Sequence, residues 1–78
     1  MKLLKTQIDE ITWKIGVFTK DGNFPLGEIV ATRNTDSRFE FDFNLKSDSE
    51  TLLHRLDNSL DDIYKWLNDP TRASDLKL

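Results

Sequence analysis

Side chains that could do acid–base chemistry are few in this chain. Glu40 and Asp42 stand two residues apart, so on a strand they project from one face, as in a carboxylate-pair enzyme or a hard-cation site. Alternating charged and apolar residues are also the ordinary pattern of a strand with one wet face. We therefore interpret the two carboxylates as surface groups and as candidates for contact with a partner.

The other residue types give little support to catalysis. His54 is the only histidine and there is no cysteine, which excludes a multi-histidine or thiolate metal site and leaves the serines without a base. The run from Asp57 to Asp62 resembles a calcium loop in its acids but lacks the central glycine and the distal glutamate. The three glycines do not form a phosphate-binding loop. The sequence predicts a protein that is not an enzyme and has no cofactor or metal.

Length and charge bound the class of protein. Seventy-eight residues are enough for one small domain, and the net charge of −3 argues against direct binding to nucleic acid, where phosphate neutralisation supplies much of the affinity. No apolar run approaches the ~20 residues of a membrane span. Without cysteines or a signal-peptide pattern, the cytoplasm is the expected compartment.

One long amphipathic helix is predicted over residues 47–69. Ser47 or Ser49 can act as its N-cap, and Glu50 completes a capping box with Ser47. Asn68-Asp69-Pro70 ends the pattern, because the residue before a proline avoids the α region. Its apolar stripe contains Leu52, Leu53, Leu56, Leu60, Ile63 and Leu67.

The segments before the helix read as antiparallel strands. Alternation from Ile11 to Val17 and from Arg38 to Leu45 predicts half-buried strands, and a less regular strand covers residues 24–33. Lys20-Asp21-Gly22-Asn23 predicts a hairpin turn, and the short polar side chains of residues 34–37 predict a second turn. We expect Phe39, Phe41, Phe43 and Leu45 to lie beneath Leu53, Leu56, Leu60 and Ile63.

The first residues allow two interpretations. Leu4, Ile8 and Ile11 fit a short helix, whereas Leu4, Thr6 and Ile8 fit one face of a strand. The strand would require its buried face to change from even to odd residues around Asp9-Glu10, which favours a bulge or a loose loop there.

The predicted fold is α+β: an antiparallel meander of three or four strands, followed by the helix packed on one face of the sheet. Residues 1–70 would form the domain and 71–78 a flexible tail.

Because no catalytic or metal site is predicted, we expect the function to depend on contacts made by the surface. Residues 47–69 hold six acids and two bases, so the helix is the acidic part of the chain. Phe18, Phe24, Tyr64 and Trp66 do not fit the core neatly, and an aromatic residue could anchor an interface. The predicted partner-binding residues are Asp57, Asp61, Asp62, Trp66, Glu40, Asp42 and Phe18.

The sequence favours a small acidic protein-binding module, an inhibitor or modulator of a basic, nucleic-acid-handling protein, of the kind that phages and mobile elements encode. The alternatives are a structural subunit that associates with itself, as a homodimer, through a sheet edge or face, and an antitoxin-like module. The sequence does not name the partner.

Overall fold

The computed structural model describes residues 1–36, 38–46, 50–69 and 71–78, and has the α+β composition that the sequence predicts. Four consecutive strands form an antiparallel meander, and a fifth strand near the C-terminus pairs with the first, in the order β4-β3-β2-β1-β5. Two helices separate β4 from β5 along the chain. The elements are β1 (Lys2–Gln7), β2 (Thr12–Phe18), β3 (Pro25–Arg33), β4 (Phe39–Leu45), α1 (Glu50–Asn58), α2 (Leu60–Asn68) and β5 (Asp75–Lys77).

The prediction of one long helix is wrong, because the helical region breaks at Ser59. The Ser59 amide donates to the carbonyl of Leu56, 3.1 Å away and three residues back rather than four. Asn58 and Ser59 favour such a break, since their short polar side chains compete for backbone hydrogen bonds. An unbroken helix over 47–69 would be roughly 33 Å long, and the longest extent of the whole molecule is 31 Å. The predicted caps Ser47 and Ser49 lie outside the described residues.

Both helices contribute to one apolar core on a single face of the sheet. Leu52 and Leu60 are half-buried against that core, whereas Leu53, which the sequence places on the sheet, is 41% exposed. Leu52 takes this place because it lies four residues before Leu56, on the same side of the helix. The buried residues of the helices are Leu56, Ile63, Trp66 and Leu67.

The apolar residues of β4 face the helices, as predicted, but their burial is unequal. Phe39 is buried and packs edge-on against Trp13, with ring centroids 5.4 Å apart. Phe41, Phe43 and Leu45 are only half-buried. β4 is an outer strand of the sheet, so these side chains have a neighbouring strand on one side only.

Residues 2–7 form a strand, which decides between the two interpretations of the N-terminal segment. The face assigned to this strand was wrong: Leu3 is fully buried and Leu4 is 37% exposed. The loose loop favoured at Asp9-Glu10 is present as residues 8–11, where the Ile11 amide donates to the Asp9 carboxylate at 2.9 Å. Because Leu3 pairs with Val17, the odd residues of both strands face the core without any change of parity.

The segment predicted to be a flexible tail contains β5. Leu76 pairs with Leu3 and packs on the core, and the Trp66 indole N–H donates to the carbonyl of Ala73 at 2.8 Å. These contacts with distant parts of the chain hold the last strand on the sheet, and local periodicity did not reveal them.

Candidate functional site

Three of the predicted partner-binding residues share the face of the sheet that the helices leave uncovered. Phe18, Glu40 and Asp42 are even-numbered residues of β2 and β4, and their odd-numbered neighbours belong to the core. Glu40 pairs across the sheet with Thr32, and Asp42 with Val30. Neither carboxylate therefore has a charged residue directly opposite.

Charge on this face is unevenly compensated. Lys14 Nζ lies 3.2 Å from a carboxylate oxygen of Glu28, so this ion pair neutralises the carboxylate of β3. Within the part of the chain that the structure describes, Glu40 and Asp42 form no ion pair. The uncompensated negative charge of the uncovered face thus lies on the outer strand.

Phe18 lies across the strand rather than projecting from it. A Cβ placed on Gly16 would be 2.7 Å from ring atom Cε2 of Phe18, so the missing side chain lets the ring pack over position 16. Beside the ring is a shallow trough of about 470 Å³ that includes Leu4 and Lys46 on its walls. Phe18 is half-buried by this arrangement and still borders open surface.

The backbone of β4 presents an unpaired edge. Hydrogen bonds from the Lys46 amide to Leu26 O (2.9 Å) and from the Asn34 amide to Arg38 O (2.8 Å) continue the β3–β4 ladder at both ends. In an antiparallel pair, alternate residues exchange both of their hydrogen bonds with the same neighbour. Even-numbered residues of β4 therefore bond to β3, and the amides and carbonyls of Phe41 and Phe43 point away from the sheet.

A partly apolar groove runs beside this edge on the helix-covered side. It has a volume of about 310 Å³, and its apolar surface is formed by Phe39, Phe41, Leu60 and Tyr64. The Tyr64 ring packs edge-on against Phe39 at 5.7 Å and stays 39% exposed. Asp61 adds a carboxylate and Arg38 a guanidinium to the rim.

The acids of the helices do not form one surface with Glu40 and Asp42. Asp57, Asp61 and Asp62 are all exposed, but only Asp61 lines the groove beside β4. Asp62 lies two helical turns before Asp69, whose negative charge acts on Lys5 of β1. Asp62 therefore lies on the flank of α2 that is opposite to the groove.

Trp66 is not a surface anchor, which corrects the prediction for this residue. Its side chain has no exposed area, and its ring N–H is bonded to Ala73 O. Lys5 Nζ lies 5.0 Å from the centroid of the ring and donates to the Trp66 carbonyl at 2.8 Å. Trp66 thus holds the C-terminal segment and β1 against α2.

Two cations near the end of α2 have structural contacts. Burial lowers the pKa of the Lys5 ammonium from its ordinary value, since the charged form loses water. The Arg33 guanidinium carbon lies 5.1 Å from the Trp13 centroid and 5.2 Å from the Phe39 centroid, and Nη2 donates to Asn68 Oδ1 at 3.0 Å. Cations are favourable at a helix C-terminus, so both residues help to hold α2 in place.

The described residues contain no cluster of three or more His, Asp or Glu side chains that could hold a metal ion. Within the same residues, no helix has the length and apolar character to cross a membrane. Comparisons with protein-family models, with curated proteins and with solved structures found no match.

Sequence reasoning singled out Tyr64 as a poor fit to the core but missed the groove that it forms with Phe41 and Leu60. The order of the elements contains a usable signal. The last strand of a meander is an outer strand unless a later element pairs with it, so β4 could have been recognised as an open edge.

Proposed function

We propose that this chain is a non-enzymatic acidic module that binds a basic protein through β4 and thereby inhibits or modulates it. The observation that supports this most directly is the pair of uncompensated carboxylates, Glu40 and Asp42, on an outer strand with no neighbour on one side. Such a surface attracts a partner rich in Lys and Arg and orients it on approach.

A protein that handles nucleic acid suits this chemistry. Its binding surface carries cations placed to neutralise phosphates. Carboxylates on a rigid strand compete for the same cations, so occupation of that surface by this module would block it. The interaction should weaken as salt concentration rises, because exposed charges are screened within about 10 Å at 0.1 M salt.

Affinity capture with matched variants tests this proposal. Glu40→Gln removes one charge from β4, and Glu10→Gln makes the same substitution at an exposed residue of the β1–β2 loop. The partner recovered with the wild type should also be recovered with Glu10→Gln, and its affinity should fall several-fold with Glu40→Gln and further with Glu40→Gln/Asp42→Asn. Equal affinity for all of these proteins would refute the proposal.

The exposed acids of α1 and α2 define a second version of the same function. Asp57→Asn/Asp61→Asn/Asp62→Asn removes three charges from the helices and leaves β4 unchanged. If this variant loses the partner and Glu40→Gln/Asp42→Asn retains it, the docking surface lies on the helices.

Self-association is the second candidate, and the uncovered face of the sheet is the observation that favours it. Leu4 and Phe18 give that face an apolar area beside the trough of about 470 Å³. Light scattering over a dilution series separates the candidates: a mass that stays that of one chain at all concentrations rules out the homodimer.

A further inference from the structure

We propose that β4 binds an extended segment of the partner, which adds to the sheet as a further strand. In this segment, two basic residues alternate with apolar residues. This proposal rests on the proposed function and specifies how the site recognises its partner. An outer strand with free amides and carbonyls is a template for strand addition, in which the main chain gives affinity and alternate side chains give selectivity.

The hydrogen-bonding phase of β4 determines the geometry of such a complex. Because Phe41 and Phe43 direct their amides and carbonyls outward, each would exchange two hydrogen bonds with an antiparallel segment. Asp42 would then occupy a non-hydrogen-bonded pair, where opposite Cα atoms are only about 4.5 Å apart. A Lys or Arg opposite Asp42 is therefore close enough for an ion pair.

The two faces of β4 require different side chains from the segment. On the uncovered face, Glu40 and Asp42 favour basic residues, and opposite charges across a strand pair contribute about 0.2–1 kcal/mol each. On the helix side, Phe41 and Phe43 stack with centroids 6.5 Å apart and are both half-buried, and Phe41 lines the groove of about 310 Å³. Apolar residues of the segment would complete the burial of these rings.

Flanking charges restrict the register. On the uncovered face, the carboxylates of Glu40 and Asp42 are followed along the chain by the amide of Asn44 and the cation of Lys46, which both line the trough of about 470 Å³. A segment shifted by two residues would bring one of its basic residues opposite Asn44 or beyond Glu40, where no carboxylate lies. The pattern thus favours two basic residues spaced i, i+2 and neutral residues at either end.

A second copy of this chain is a poorer match. Antiparallel pairing of β4 with itself sets carboxylates opposite carboxylates or opposite Asn44 within Phe39–Leu45. Some registers bring Lys46 or Arg38 opposite one carboxylate, but none sets cations opposite both Glu40 and Asp42, because no two cations lie two residues apart beside this strand. Like charges opposite one another are destabilising. The chemistry of the edge therefore points to a different, basic strand.

The test uses a capped peptide of sequence Thr-Val-Lys-Val-Lys-Val-Thr and the full chain. We expect binding by NMR titration, with slower hydrogen exchange at the amides of Phe41 and Phe43. Methylation of the central valine nitrogen preserves charge and side chains but removes one donor to the edge, and it should weaken binding by roughly tenfold or more. Glu40→Gln/Asp42→Asn should weaken binding of the unmodified peptide, whereas Glu10→Gln should not.

Three results would overturn strand addition. They are equal binding of the methylated peptide, absence of binding by the unmodified peptide, and protection of Phe41 and Phe43 in a peptide-free dimer. The proposed function can hold even if strand addition fails. Capture of a basic partner that depends on Glu40 and Asp42 would still support an acidic docking surface.

Discussion

The two outer strands of the sheet are built differently, although both leave backbone groups without a neighbouring strand. β5 has three residues, and the hydrogen bonds of Leu78 N to Met1 O (2.9 Å) and Lys5 N to Ser74 O (2.9 Å) extend its pairing with β1 at both ends. β4 has seven residues without proline or an interior glycine. Short edge strands discourage pairing with other chains, and long ones invite it. The contrast indicates that β5 forms a short edge that discourages further pairing, which we call the closed edge. β4 forms a long edge that is available for pairing, which we call the open edge.

Charge strengthens this contrast. The backbone groups of Asp75 and Lys77 point outward from β5, since the bonds at Ser74 and Leu78 assign the even residues to β1. Those two side chains have opposite charges, whereas Glu40 and Asp42 on β4 are both negative. A basic strand is therefore attracted to one edge of this sheet more than to the other.

The largest expected effect comes from comparing two aromatic residues of α2. Trp66→Ala removes the buried ring that anchors the closed edge and should lower the free energy of unfolding by about 3–5 kcal/mol. Tyr64→Ala removes a 39% exposed ring beside the open edge and should cost about 0.5–1.5 kcal/mol. Urea denaturation followed by circular dichroism measures both. Equal losses would mean that the open edge is as firmly packed as the closed one.

A substitution at Gly27 should disturb the open edge selectively. Gly27 has φ +147°, and an added Cβ would lie 2.5 Å from Asn44 O and 2.6 Å from Leu45 Cα, both backbone atoms of β4. Gly27→Ala must displace the end of β4, at a cost of about 1–3 kcal/mol for the strained backbone. We expect the largest chemical-shift changes in Asn44 and Leu45. Changes centred on β5 would contradict this assignment.

Acid should weaken the turns in which an aspartate carboxylate accepts hydrogen bonds. Hydrogen bonds from the hydroxyl and amide of Thr71 hold the pKa of Asp69 below its ordinary value of 3.8, and the Ile11 amide does the same for Asp9. A lowered folded-state pKa gives stability that is present above the ordinary pKa and is lost as pH falls through the folded-state value. The melting temperature should therefore fall as pH decreases below about 4, and less steeply in Asp9→Asn/Asp69→Asn. Parallel pH profiles for the two proteins would show that other carboxylates dominate acid unfolding.

Local patterns in the sequence predicted several elements of the fold. Asp21-Gly22 gave the first hairpin, with Gly22 at φ 79°, and the alternation from Phe39 to Leu45 gave the orientation of β4. Patterns within a short window could not reveal that Ser59 breaks the helix or that Leu76 pairs with Leu3. These features depend on contacts between distant residues and on the size of the sheet that the helices must cover.

The residues of the candidate site were likewise predicted from the sequence only in part. Alternation placed Glu40 and Asp42 on the wet face of a strand, whereas Trp66 was misassigned because its partners, Lys5 and Ala73, come from elements outside the helix. The aromatic groove beside β4 depends on which strand lies at the edge, and so required the topology of the sheet.

Hydrogen exchange along β4, measured by NMR on the isolated monomer, tests the open edge most directly. We expect slow exchange at the amides of Asp42 and Asn44, which donate to β3, and exchange at least tenfold faster at the intervening amide of Phe43. The amide of Phe41 should likewise exchange rapidly. Uniform protection from Phe41 to Asn44 in the monomer would mean that the edge is already covered, and it would contradict the account of β4 as the docking strand.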